Sequence, residues 1–262
     1  MYGTTNGTAV SRTITTRENE ADAMARSRAV LIVATIVGVA LQFLPPAYSN
    51  IILYPLRLFV TFVHEGGHAL AAIITGGSVD SMTVSPNGEG LTMTRTTEWA
   101  GWIVLSGGYI GATIFGALLL QVGRLNRWRN AGRAALSAAA VYLLVITLLW
   151  ARTSLFTLIA GVVLAGLLWL TARIVGPRAA NFIAAFLAVQ CCLNALGDLR
   201  ILVYLTTNMP GRDNDAVFMQ QHYGLPAVFW ACLWAVIAIC ILAIALRSYW
   251  QGTAGRVPRL NA

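Results

Sequence analysis

The chain has 262 residues, 57% of them hydrophobic and 11% charged, and its net charge of +8 rests on arginine because it has no lysine. A soluble globular chain carries about 25% charged residues, and half that supply cannot build a water-facing surface, so a soluble enzyme is nearly excluded. Disorder is excluded as well, because it needs low hydrophobicity and high charge.

Residues 1–28 are polar and rich in Thr, Arg and Glu, and no cleavage site of the A-x-A kind follows the next apolar run. They read as a disordered cytoplasmic tail ending in Arg26 and Arg28. Apolar runs follow at 29–45, 51–75, 99–122, 134–151, 154–172, 180–206 and 225–246. Each approaches or exceeds the roughly 20 residues that cross a hydrocarbon core. The expected fold class is an all-α polytopic membrane protein. A transmembrane domain of six to seven helices spans 29–250, and a cytoplasmic tail follows at 251–262. Arginines at 124, 127, 129, 133, 173, 178, 247, 256 and 259 flank these runs and place their loops and both termini inside by the positive-inside rule. A nucleic-acid partner would want a polar basic face, which is absent. Cys191, Cys192, Cys232 and Cys240 lie inside apolar runs without zinc spacing and read as small core residues.

The first part of the chain breaks this alternation. Two full spans would return the chain to the inside at residue 76, yet the run 99–122 must start outside to end inside at Arg124. One element before residue 99 is therefore a half-span, a re-entrant segment or a strand pair within the membrane. Such irregular backbone is tolerated only where protein buries it or water reaches it. The candidate is 78–95, where short Val/Thr-rich runs flank Pro86-Asn87-Gly88-Glu89-Gly90, a strong turn signal, and a β-hairpin is expected. Further on, Gly107, Gly108, Gly111 and Gly116 share one apolar run and predict a close-packing helix face.

Residues 64–68 read His-Glu-Gly-Gly-His within the run 51–75. On a helix, positions i and i+4 share a face, so His64 and His68 can reach one metal ion. Glu65 is then placed to take a proton from a metal-bound water, the HExxH arrangement of zinc hydrolases. A carboxylate mid-membrane costs about 2.5–3.5 kcal/mol on insertion scales, and a divalent cation is the simplest compensation for two imidazoles and a carboxylate together.

A catalytic zinc usually takes three protein ligands. Asp198 is the first candidate for the third, because it lies inside the apolar run 180–206, with an ion pair to Arg200 or another arginine as its structural alternative. Asn194, one turn earlier, shares its face and could orient it or hydrogen-bond substrate. Asp213, Asp215 and His222 lie in the polar stretch 207–224, where a solvated turn is the simpler account and a ligand role stays open.

HEGGH in a membrane helix, a hairpin-like segment after it and an Asp in a later membrane helix together resemble the site-2 protease family of intramembrane zinc metalloproteases. HEGGHALAAIITGG followed by SPNGEG is similar to its compact bacterial branch, which lacks accessory domains. The resemblance is specific over about 60–95 and looser over 180–225. It implies zinc held by His64, His68 and Asp198, water activated by Glu65, and a multi-pass protein of a bacterial cell membrane. It also implies a membrane-embedded protein substrate held extended against the hairpin, with Val84, Ser85 and Asn194 as substrate-binding residues. The family's third-ligand pattern is Leu-Asp-Gly, whereas this chain has Gly197-Asp198-Leu199. Two other classes fit intramembrane His, Glu and Asp: a non-proteolytic metal-dependent membrane protein, and a metal or ion transporter, although no internal repeat is found.

Overall fold

The computed structural model describes residues 28–41, 53–124, 130–208 and 214–251, with 25, 43 and 51 singly; the side chains of 123–124, 194–208 and 249–251 fall outside the described residues. Apart from residues 25, 28 and 251, both expected tails lie outside them, as do Asp213 and the side chains of Asn194 and Asp198.

A short apolar helix, α1 (Arg28–Leu41), opens the bundle. Helix α2 (Tyr54–Ile74) starts with Pro55 in its first turn, where the missing N–H costs nothing. It ends where the Thr75 hydroxyl donates to the Ala71 and Ala72 carbonyls at 2.8 and 3.1 Å, and Gly76, at φ 82°, turns the chain.

The expected hairpin follows. Strand β1 (Ser78–Val84) pairs antiparallel with β2 (Gly90–Arg95), in register from Ser78 opposite Arg95 to Val84 opposite Gly90, with an irregularity between Val79 and Ser81. Its turn closes through Ser85 N–H to the Glu89 carbonyl at 2.7 Å and Gly88 N–H to the Ser85 carbonyl at 2.9 Å, with Gly88 at φ 88°.

The ribbon runs back along α2. Gly77 N–H donates to the Ala72 carbonyl, while at the other end the Thr61 hydroxyl reaches the Gly88 carbonyl at 3.0 Å and the Tyr54 hydroxyl the Pro86 carbonyl at 2.8 Å. The expected hairpin is present, but it leaves and rejoins the same end of α2, so it does not supply the change of side that the arginine pattern asked for before residue 99.

That helix is α3 (Glu98–Arg124), followed by α4 (Ala131–Trp150), α5 (Leu155–Ile174), α6 (Pro177–Asn208), α7 (Asp215–Tyr223) and α8 (Ala227–Gln251). Among the described residues, four stretches are long and apolar enough to cross a membrane: Glu98–Val122, Ala131–Trp150, Leu155–Ile174 and Ala227–Ser248. The protein is an all-α polytopic membrane protein. Helix α2 has the length but not the composition, because His64, Glu65 and His68 interrupt it.

The main core joins one face of α2 (Leu58, Phe59, Phe62) to α4 (Leu136, Leu143, Ile146) and to alanines of α6. A second cluster of Ala216, Met219, Ala227, Ala231 and Trp234 ties α7 to α8. This second cluster positions the site, because it fixes a short helix that no bilayer-length argument would hold.

Candidate metal centre

Helix α2 brings His64 and His68 onto one face, with their Nε2 atoms 3.1 Å apart. Close approach of α3 makes room for them. A Cβ on Gly67 would run into the Gly107 carbonyl, and one on Gly108 into the Nε2 atoms of both His64 and His68. Of the predicted small-residue face of α3, Gly107, Gly108 and Gly111 pack on α2 while Gly116 meets Ala188 and Cys192 of α6, and Gly108 leaves the space into which the imidazoles point.

Each imidazole is oriented. His68 Nδ1 lies 2.7 Å from the Val104 carbonyl of α3, and a carbonyl can only accept, so Nδ1 carries the proton. In the neutral ring, Nε2 then presents a lone pair. His64 meets the Tyr109 ring edge to face at 4.6 Å between centroids, and Tyr109 stacks on Trp234 at 4.7 Å. The Trp234 indole in turn donates to the Ser106 hydroxyl at 2.9 Å.

The third group comes from α7. Asn214 caps that helix, its side chain accepting from Ala216 and Val217 N–H at 3.1 Å each. Asp215, in the first turn, places Oδ2 3.1 Å from His64 Nε2 and 3.3 Å from His68 Nε2. Burial alone would raise the Asp215 pKa; positive charge beside it, as from His68 and His64 when they are protonated, outweighs burial and holds the carboxyl well below the usual carboxylate range.

Three acceptor atoms thus converge, 3.1–3.3 Å apart pairwise. Tetrahedral ligands about 2.0–2.1 Å from a zinc ion stand about 3.3–3.4 Å from one another. The donor set and its spacing therefore fit a zinc ion with little movement, and the buried lone pairs call for a cation. His64, Glu65 and His68 form a group whose ligand atoms lie within 4.8 Å of one another.

Glu65 is buried, as is His68. Its carboxylate Oε2 accepts from the Thr92 hydroxyl of β2 at 2.6 Å, and its Oε1 lies against Gly90, where any Cβ would collide with it.

Of the residues expected from sequence, the structure brings together His64, Glu65, His68 and, from the alternatives, Asp215. Asn194 and Asp198 belong to α6, with side chains outside the described residues. His222 is exposed on the last turn of α7 and bonds the Phe218 carbonyl at 2.9 Å. Val84 is buried, its N–H donating to the Thr157 hydroxyl at 3.0 Å and its carbonyl accepting from it at 3.1 Å. Ser85 closes the turn. Sequence reasoning missed Thr92 and Tyr109; the alternation of β2 carried the only signal for Thr92, and none marked Tyr109.

A family model described as Peptidase M50B-like matches residues 29–245. No curated protein and no solved structure matches the chain.

Proposed function

The chain belongs to the peptidase M50B-like family, and on that premise we propose that it is an intramembrane zinc metalloendopeptidase hydrolysing peptide bonds of membrane-embedded protein substrates. The observation that carries the reading is the convergence of His64 Nε2, His68 Nε2 and Asp215 Oδ2 beside Glu65 in an apolar bundle. These three side chains would hold the ion. When bound, zinc supplies Lewis acidity that acidifies a water and polarises the scissile carbonyl. Glu65 takes the proton from the attacking water as the new C–O bond forms. It returns that proton to the leaving amide nitrogen as the C–N bond breaks.

Asp215 takes the third-ligand place in this reading on the strength of its distances. Asp198 of α6 remains the group that a metal assay must separate from it, with Asn194 beside it as a substrate-binding candidate. A substrate helix hides its scissile bond and must be held extended, and the hairpin 78–95 is suited to that task. On β1, the outward backbone groups of Val84 are already paired with Thr157. On β2, Gly90 stands opposite Val84 and Thr92 opposite Met82, so their backbone N–H and C=O face away from β1, next to Glu65. This favours the β2 edge for the substrate strand, with Val84 and Ser85 backing it. The likeness to the compact bacterial branch supports a bacterial cell membrane as the setting, and the flanking arginines support cytoplasmic termini.

The test is cleavage of a single-span peptide carrying a fluorophore–quencher pair, reconstituted in phospholipid vesicles with wild type or Glu65→Gln. Wild type cleaves and the variant does not; cleavage by Glu65→Gln would overturn the mechanism. Zinc accumulating inside vesicles in a His64-dependent manner would move the reading to transport.

A further inference from the structure

Resting on that hydrolase reading, we infer that Thr92 is a positioning residue that sets the Glu65 carboxylate toward the metal centre. Glutamate has three rotatable side-chain bonds, and an unheld base would sample many orientations. Here β2 holds it on two sides. The Thr92 hydroxyl donates to Glu65 Oε2 at 2.6 Å, within the short range of hydrogen bonds to ionised acceptors. The same hydroxyl lies 3.2 Å from the Glu65 backbone carbonyl, so its single proton favours the carboxylate. The absent side chain of Gly90 leaves the space that Oε1 occupies.

The strand that does this is anchored independently of Glu65. Thr61 and Tyr54 hold the turn through the Gly88 and Pro86 carbonyls. The Thr157 hydroxyl fixes β1 at Val84, opposite Gly90. Thr92 therefore works from a fixed platform rather than following the glutamate. Catalytic groups lose about 100-fold in rate for a displacement of about 1 Å, so a hydroxyl that removes this freedom bears on turnover and not on substrate capture.

The experiment compares wild type, Thr92→Val, Thr92→Ser and Glu65→Gln on the fluorophore–quencher peptide in vesicles, with zinc per chain measured on each. Valine keeps the shape and strand preference of threonine without its hydroxyl; serine keeps the hydroxyl. Thr92→Val should lower kcat about 10- to 100-fold with KM within about twofold and zinc content unchanged, and Thr92→Ser should stay within about threefold of wild type.

Wild-type kinetics in Thr92→Val, equal loss in both threonine variants, or zinc loss in Thr92→Val would each overturn the inference. Cleavage by Glu65→Gln would remove the base itself and the parent reading with it. Should wild type leave this peptide intact, acetohydroxamate binding to the zinc-loaded protein gives the same comparison without turnover. Thr92→Val then binds at least about threefold more weakly at equal zinc content while Thr92→Ser does not, and equal binding by all three overturns the inference.

Discussion

The α2–hairpin–α3 wedge and the outer helix α5 are both helical and both apolar, but they are held together differently. Beyond Thr157, which anchors β1 from its first turn, helix α5 is a simple membrane span: only 28% of its most apolar stretch is buried within the protein, and large side chains such as Val163, Leu167 and Leu170 are exposed. Gly166 on it faces open space. In the wedge, glycines bring backbones together, and buried polar groups meet one another at hydrogen-bond distances. Hydrocarbon solvates the exposed face of α5 without any partner. The wedge needs a partner for every buried polar atom, because none can be satisfied by lipid.

Predictions that would break or sharpen this contrast run from large effects to small. Glu65→Gln should lower peptide cleavage at least about 1000-fold while leaving one zinc per chain, since glutamine keeps the shape but cannot take the proton. Asp215→Ala should lose the zinc, measured by elemental analysis of detergent-purified protein. If Asp198→Ala lost it instead and Asp215→Ala kept it, the third ligand would sit on α6.

Gly108→Val should weaken zinc binding by about 10- to 100-fold, because its side chain enters the space of both imidazoles. The matching change on the outer helix, Gly166→Ala, should shift stability by no more than about 1 kcal/mol and in the stabilising direction, read from thermal unfolding in detergent. Equal effects at the two glycines would erase the distinction between wedge and periphery.

The same contrast explains what the sequence made legible. The four span-length apolar helices among the described residues needed only hydropathy to find, because their environment is uniform along the chain. His64, Glu65 and His68 needed only the helical repeat. The hairpin was legible because Gly88 and its neighbours specify a turn locally.

The approach of Asp215 to the two histidines was harder to read. Sequence ranked Asp198 ahead of it as a ligand, because a carboxylate inside an apolar run demands a partner while one in a polar stretch does not. What local sequence does not reveal is that Asn214 starts a short helix there and that Met219 and Trp234 pin it beside α2. Thr92 was invisible for a related reason: alternation assigns it a face of β2, but only packing says that the face meets Glu65.

The paired bonds between Val84 and Thr157 have a further consequence. A single hydroxyl that both accepts from an N–H and donates to a carbonyl imitates one rung of a neighbouring strand, supplied here by a helix. The ribbon behaves at that position as though a third strand were already present, so its β1 border ends in a satisfied rung rather than a sticky one. A chain approaching from that side must first exchange with Thr157. Among the described residues no such rival meets the β2 border at Gly90 or Thr92, and the molecule thereby distinguishes its two borders without a second sheet.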